Sequence, residues 1–161
     1  MELRRPRLED KEAVIDLILE FERSNAAHDG GFWDKENFVY EDWIAGNQDA
    51  EMGLNIPNTW VPAIQFVAFD KGQAVGFQIL NEHLRGHGGH IGYSVRPTMQ
   101  GKGYATAMLK EGLLVAASKN IHRVLVTCAE DNSASRAVIL KNGGILEDVR
   151  AGKERYWIDL E

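Results

Sequence analysis

Val95-Arg96-Pro97-Thr98-Met99-Gln100-Gly101-Lys102-Gly103-Tyr104-Ala105 joins an extended run to a long helical pattern, and its reading decides the fold. A proline closes the strand, and two glycines stand where the helix begins. The first turn of a helix has four N–H groups without intrahelical partners and carries a partial positive charge. Glycines let an anionic group, typically a phosphate, approach those N–H groups closely. Gly and Pro also punctuate ordinary turns, so spacing by itself leaves an anion site and a plain turn both open.

Upstream of this stretch the pattern is strand-like. Ala63 to Phe69 runs as a strand into a Gly-containing turn at Asp70-Lys71-Gly72-Gln73, and Ala74 to Leu80 returns as its partner. A turn at Gly86 to Gly89 leads into His90-Ile91-Gly92-Tyr93-Ser94-Val95, so the expectation is an antiparallel meander. Downstream, Ala105, Met108, Leu109, Gly112, Leu113 and Ala116 form one helical stripe. Gly112 costs about 1 kcal/mol there relative to Ala, which close packing on the sheet would explain. Arg123 to Cys128 is a continuous apolar strand, Asn132 caps a helix through Asn142, and Gly143-Gly144 stops it. Strand, helix and strand from Val95 to Cys128 make a βαβ unit, whose strands should lie parallel. Ile145 to Val149 and Arg155 to Leu160 close the chain as a last strand pair.

The N-terminal part opens with a short strand at Glu2 to Arg5. Asp10 then caps an amphipathic helix with Val14, Leu17, Ile18 and Phe21 inward and Lys11, Glu12, Asp16 and Glu20 outward. Residues 23–34 read as a loop, Asp34 caps a second helix to about Ala50, and Gly53 to Pro62 is an irregular rim of the kind that carries specificity.

Composition bounds the function. The 161 residues fit a single domain, 1–161, with 44% hydrophobic and 26% charged residues, as in ordinary globular proteins. The N-terminal Met1-Glu2-Leu3-Arg4-Arg5-Pro6 lacks signal-peptide character, and no apolar run approaches the ~20 residues of a membrane helix. One cysteine, Cys128, allows no internal disulfide and suits a reducing, cytoplasmic setting. A net charge of -6 speaks against nucleic acid as a partner and for cationic small molecules.

Taken together, these segments resemble the GCN5-related N-acetyltransferase (GNAT) superfamily. Gln100-x-x-Gly103-x-Ala105 matches the family's [Gln/Arg]-x-x-Gly-x-[Gly/Ala] signature, behind Ile91-Gly92-Tyr93-Ser94-Val95-Arg96-Pro97. Cys128 to Ser135 and Lys141-Asn142-Gly143-Gly144 resemble its Asn-containing segment and helix end. The match runs from about Ala63 to Leu160 and is loose before that. A P-loop is excluded because Arg96 holds its first Gly position and Gly103 its hydroxyl position; a dinucleotide fingerprint fails at Thr106.

The resemblance implies a mixed α/β (α+β) fold. Its central, mostly antiparallel sheet has about six to seven strands and one splayed parallel pair, flanked by about four helices. It implies acetyl-CoA as co-substrate, with no metal, and acetyl transfer to a primary amine of a small molecule or peptide. The pyrophosphate would rest on Gln100, Gly101, Lys102, Gly103, Tyr104 and Ala105, and the pantetheine arm along Tyr93 to Val95 with Asn132 and Ser135 beside it. The Val95 N–H would hold the thioester carbonyl. The family also admits a homodimer.

An ammonium must lose a proton before it attacks a thioester. Glu82, His83, His90 and Tyr93 are the candidate groups, of which Glu82 and His83 should face opposite ways. His87-Gly88-Gly89-His90 reads as a solvated turn, and its His-x-x-His spacing lacks a third metal ligand nearby. Relatives carry a Tyr seven residues after the Asn as acid for the departing thiolate. Here that position is Ile139. Tyr93 or Cys128 are the substitutes to hand, and a thiolate leaves tolerably unaided. Cys128 otherwise reads as a buried small hydrophobe. Phe32, Trp33, Phe38, Trp43 and Trp60 either line the acceptor pocket or pack the helices on the sheet. The acidic balance points to polyamine-like or aminoglycoside-like amines, with peptide α-amines also open. The missing Tyr keeps a second class in view: a non-catalytic acyl-CoA-binding sensor module.

Overall fold

The computed structural model describes residues 1–84 and 88–160. Strand β1 (Glu2–Arg4) leads through a 3-10 turn into helix α1 (Lys11–Arg23), and α2 (Tyr40–Glu51) follows. Strands β2 (Ala63–Asp70), β3 (Gln73–Asn81) and β4 (Ile91–Val95) form the meander. Then come α3 (Tyr104–Ser118), β5 (Arg123–Ala129), α4 (Ser133–Lys141), β6 (Ile145–Arg150) and β7 (Lys153–Asp159). The order of elements is the one the sequence predicts.

Local chemistry moves one helix start and redirects one capping side chain. Asp34 accepts the amides of Glu36 and Asn37 at 3.0 and 3.3 Å, which closes a local turn rather than a helix; α2 begins only at Tyr40. Asp10 stands at the N-cap of α1 as expected, but its side chain serves the 3-10 turn, taking the Arg7 amide at 2.8 Å and the two terminal guanidinium nitrogens of Arg4. At α4 the expected cap forms, with the Ser135 amide donating to Asn132 Oδ1 at 3.1 Å.

Strands β1 to β4 make one antiparallel sheet in sequence order, and β5-β7-β6 make a second. The expected single sheet is therefore divided, because the βαβ strands β4 and β5 share no ladder. They touch at their beginnings, where the His90 amide donates to the Leu125 carbonyl at 2.7 Å and His90 Nδ1 accepts the Leu125 amide at 2.9 Å. His90 is thus buried at a strand junction, not solvated as its Gly-rich neighbours suggest. Gly89 permits the approach: a Cβ there would lie 2.4 Å from the Leu125 carbonyl oxygen. His87 lies outside the described residues.

The core lies on both sheet faces. Val14, Leu17, Ile18 and Phe21 of α1 pack with Tyr40 and Ile44 of α2 on Val67, Phe69 and Phe77. Leu109, Leu113 and Ala116 of α3 and Ile139 of α4 pack under Ile64, Leu80, Val124 and Val126 on the other face. Gly112 faces the Gln78 side chain, whose Nε2 would stand 2.2 Å from a Cβ at that position, so close packing accounts for the glycine.

Candidate active site

The register of β4 fixes which of its peptide groups are free. The Asn81 amide donates to the His90 carbonyl and the Arg96 amide to the Val75 carbonyl. Hydrogen-bonded pairs alternate along an antiparallel ladder, so Gly92 and Ser94 also address β3. Ile91, Tyr93 and Val95 then turn their N–H and C=O groups the other way, toward the opening between β4 and β5. On the opposite wall, Leu125, Thr127 and Ala129 of β5 turn away from β7 by the same alternation. The result is a cleft closed at His90 and Leu125 and lined above them by backbone that pairs with neither β3 nor β7.

The glycine turn stands at the open end of β4. Gly101 and Gly103 have φ of +77° and +87°, the left-handed region that favours glycine, and nothing lies within 4 Å of a Cβ built on either. Gly103 caps α3, so the free N–H groups of a fifteen-residue helix face that open space. Gln100 does not project into it: its amide nitrogen donates to the Val95 carbonyl at 3.1 Å and fastens the turn to β4. Tyr104 directs its phenol to Asp70. Lys102 is exposed.

The turn is also clamped from α1. Arg96 is 3% exposed and donates to Glu20 at 2.8 Å, Asp16 at 2.7 Å and the Ala74 carbonyl at 2.8 Å. Glu20 in addition accepts the Thr98 amide at 2.9 Å and the Thr98 hydroxyl. Burial opposes ionisation of Glu20, but these donors outweigh it and hold its carboxyl below the ordinary range. Helical periodicity places Asp16 and Glu20 on the outer face of α1; in the fold that face meets the signature turn.

A cavity of about 760 Å³ runs from the cleft to the N-terminal loops. On the cleft side it is lined by Tyr93, Thr127, Cys128, Asn132 and Ser135. Tyr93 reaches across from β4 to α4, its phenol 2.8 Å from Ser135 Oγ. Burial pushes its pKa up to about 12, with the Ser135 contact opposing and the fields of Cys128 and Asp29 adding. Ile139, one helical turn beyond Ser135, is fully buried in the core. Burial and Glu154 raise the Cys128 thiol, which keeps it protonated and unsuited to nucleophilic attack.

On the loop side the lining includes His28, Asp29, Phe32, Trp43, Gln65 and Trp60. His83 also lines the cavity, whereas Glu82 pairs with Lys119 at 3.8 Å and is not part of the wall. Phe32 and Trp60 are half exposed with ring centroids 5.8 Å apart; Trp33 and Phe38 instead pack against the α1–α2 core. Val95 is buried and contributes only its peptide group. Asp29 and Gln65 escape a sequence reading. Asp29 sits in a Gly-flanked loop, and Gln65 interrupts an apolar strand without a motif.

Among the described residues no helix is long and apolar enough to cross a membrane. Nor, among them, are three or more His, Cys, Asp or Glu side chains grouped to hold a metal ion.

Comparison with known proteins agrees with this geometry. The acetyltransferase (GNAT) domain profile matches residues 1–145. No curated protein matches the chain. Among solved structures, RimL, a ribosomal L7/L12 alpha-N-protein acetyltransferase in complex with coenzyme A, superposes with a TM-score of 0.69 at 20% identity, covering 98% of this chain and 93% of its own. Mycobacterium smegmatis RimJ in complex with CoA-disulfide gives 0.68 at 21%, over 98% and 80%. The yncA protein of Salmonella typhimurium with its cofactor acetyl-CoA gives 0.68 at 16%, over 99% and 94%. With its signature turn, its splayed strand pair and this profile match over most of its length, the chain belongs to the GNAT acetyltransferase family.

Proposed function

We propose that this protein transfers an acetyl group from acetyl-CoA to a primary amine, by direct attack of the amine while both are bound. The observation that carries the reading is the line of peptide groups on Tyr93 and Val95 that turn away from β3, leading from the glycine turn toward the cavity. The residues suit the co-substrate. The open left-handed glycines and the α3 N-terminus would take the pyrophosphate, with Lys102 adding charge. The pantetheine amides would pair with β4 as an added strand, beside Asn132 and Ser135. Three similar structures contain CoA, CoA-disulfide or acetyl-CoA, which supports the same choice here.

Acetyl-CoA supplies an activated thioester, and the remaining work belongs to this chain. The backbone N–H of Val95 holds the thioester carbonyl and stabilises negative charge on its oxygen; that of Tyr93 has the same orientation. Proton removal from the ammonium falls to His83 or Asp29, directly or through water. The Tyr93 phenol, neutral at any physiological pH, takes the role of proton donor to the departing thiolate that Ile139 cannot fill. Positioning of two bound reactants provides most of the acceleration.

The test is CoA-thiol release from acetyl-CoA across a panel of amines, beside calorimetric CoA binding. Gly103→Trp should lose CoA binding while retaining its far-UV circular dichroism; unchanged affinity would sink the cofactor assignment. Tight CoA binding with no thiol release for any amine would replace this reading with that of an acyl-CoA sensor.

A further inference from the structure

The loop side of the cavity is built to receive one positive group and little else that is charged. Asp29 is the only carboxylate among the described residues that line it. Its main chain is fixed: the Asp29 carbonyl accepts Ser94 Oγ at 2.7 Å, and Gly30 follows with φ +81°. A Cβ on Gly30 would lie 2.5 Å from the Gly92 oxygen, so the loop is seated directly on β4. Asp29 is thereby held beside the strand whose free peptide groups face the cleft.

Gln65 supplies a second, neutral acceptor. It is 6% exposed, and its Nε2 lies 2.7, 3.0 and 3.2 Å from the carbonyl oxygens of Gly30, Phe66 and Gln78. Three carbonyls around one atom require that atom to be the nitrogen, which fixes the amide orientation. What Gln65 offers the cavity is therefore Oε1, a hydrogen-bond acceptor. No donor contacts it among the described residues. Beyond these two acceptors the loop-side wall holds no further carboxylate among the described residues; Phe32 and Trp60 stand as paired rings at the rim with Trp43 nearby, among the uncharged side chains of Asn47, Asn55 and Thr59.

We propose that the acceptor is a monoamine on an uncharged, ring-bearing body, its ammonium received by Asp29 and Gln65 Oε1 and its ring lying against Phe32 and Trp60. This rests on the acetyltransferase reading and narrows it. In the transfer, the ammonium gives one proton to the base and the neutral amine forms the C–N bond. The C–S bond breaks, the thiolate of CoA takes a proton, and the nitrogen sheds its second proton as the amide forms. A polyamine, which the net charge of -6 favours, would set its further cations against the rings with no carboxylate there to meet them.

The experiment compares phenethylamine, spermidine and an alanine-led tripeptide by CoA-thiol release at saturating acetyl-CoA. Phenethylamine should exceed both others at least about tenfold in kcat/KM. Trp60→Ala, at an exposed position that tolerates truncation, should raise KM for phenethylamine about tenfold and leave n-butylamine nearly unchanged. Asp29→Asn should lower kcat/KM for both monoamines. Equal or better use of spermidine or the tripeptide overturns the inference and leaves the acetyltransferase reading standing. Thiol release with none of the amines overturns both.

Discussion

His90 accepts the Leu125 amide at Nδ1, 2.9 Å away, while its own amide serves the Leu125 carbonyl at 2.7 Å. The imidazole stands in for a strand carbonyl at the point where β4 and β5 part. Nδ1 must therefore be unprotonated, and the ring neutral with its proton on Nε2. Burial holds the pKa of His90 below its ordinary value, and His83 adds to the effect. The unfolded chain consequently binds the proton first as pH falls. His90's contribution to stability is complete above about pH 6.5, is lost progressively below it, and levels off beneath the lowered folded pKa. Urea unfolding from pH 8 to pH 5 should show this loss. His90→Phe should cost about 1–3 kcal/mol at pH 8, through the unsatisfied Leu125 amide, and flatten the pH profile. A variant as stable and as pH-dependent as the parent would refute the pin.

Glu20 joins α1 to the signature turn through Arg96 and Thr98. Glu20→Ala should remove about 1.5–3 kcal/mol of stability, the worth of a hydrogen bond to a charged group in a half-buried place. KM for acetyl-CoA should rise severalfold with kcat nearly unchanged, because the turn loses its fixed position but the transfer chemistry is untouched. Steady-state kinetics with varied acetyl-CoA checks the split.

Tyr93→Phe keeps the ring in the cleft and removes the proton. The expected loss is about tenfold in kcat, at the weak end of general acid catalysis because a thiolate leaves readily. With the phenol pKa pushed up to about 12, the parent enzyme should show no alkaline loss from this group below pH 10. A kcat within twofold of the parent would remove Tyr93 from the mechanism.

Gln78 is fully buried under α3, and neither end of its side-chain amide has a hydrogen-bond partner among the described residues. Gln78→Met conserves volume and removes two unsatisfied groups, so it should stabilise the protein by about 1–2 kcal/mol in urea unfolding. Its backbone carbonyl, which holds Gln65, remains in place.

The sequence shows the glycine turn plainly and the loop side of the cavity hardly at all. Gln100 to Ala105, with Asn132 behind, marks a turn whose function depends on backbone geometry, and glycines advertise such geometry locally. Asn132 caps α4 because a cap needs only its own neighbours. Asp29 and Gln65, by contrast, gain their meaning from each other and from Gly92, across more than thirty residues of chain. Helical periodicity likewise identifies the outer face of α1, but cannot show that Arg96 lies against it. The divided sheet is hidden for the same reason: only the His90 contact to Leu125 reveals where pairing stops.

Helix α1 touches both halves of the site. One edge grips the glycine turn through Asp16 and Glu20. The other packs Phe21 against Phe77 and Trp33, 5.9 and 6.4 Å between centroids, and Glu22 accepts the Trp33 indole N–H at 3.1 Å. Trp33 stacks in turn on His28, next to Asp29. A single helix therefore spans the glycine turn and the loop side of the cavity, and a tilt of that helix reaches both. Any influence of one ligand on the other's affinity must be returned in equal measure, since linkage between binding sites is reciprocal.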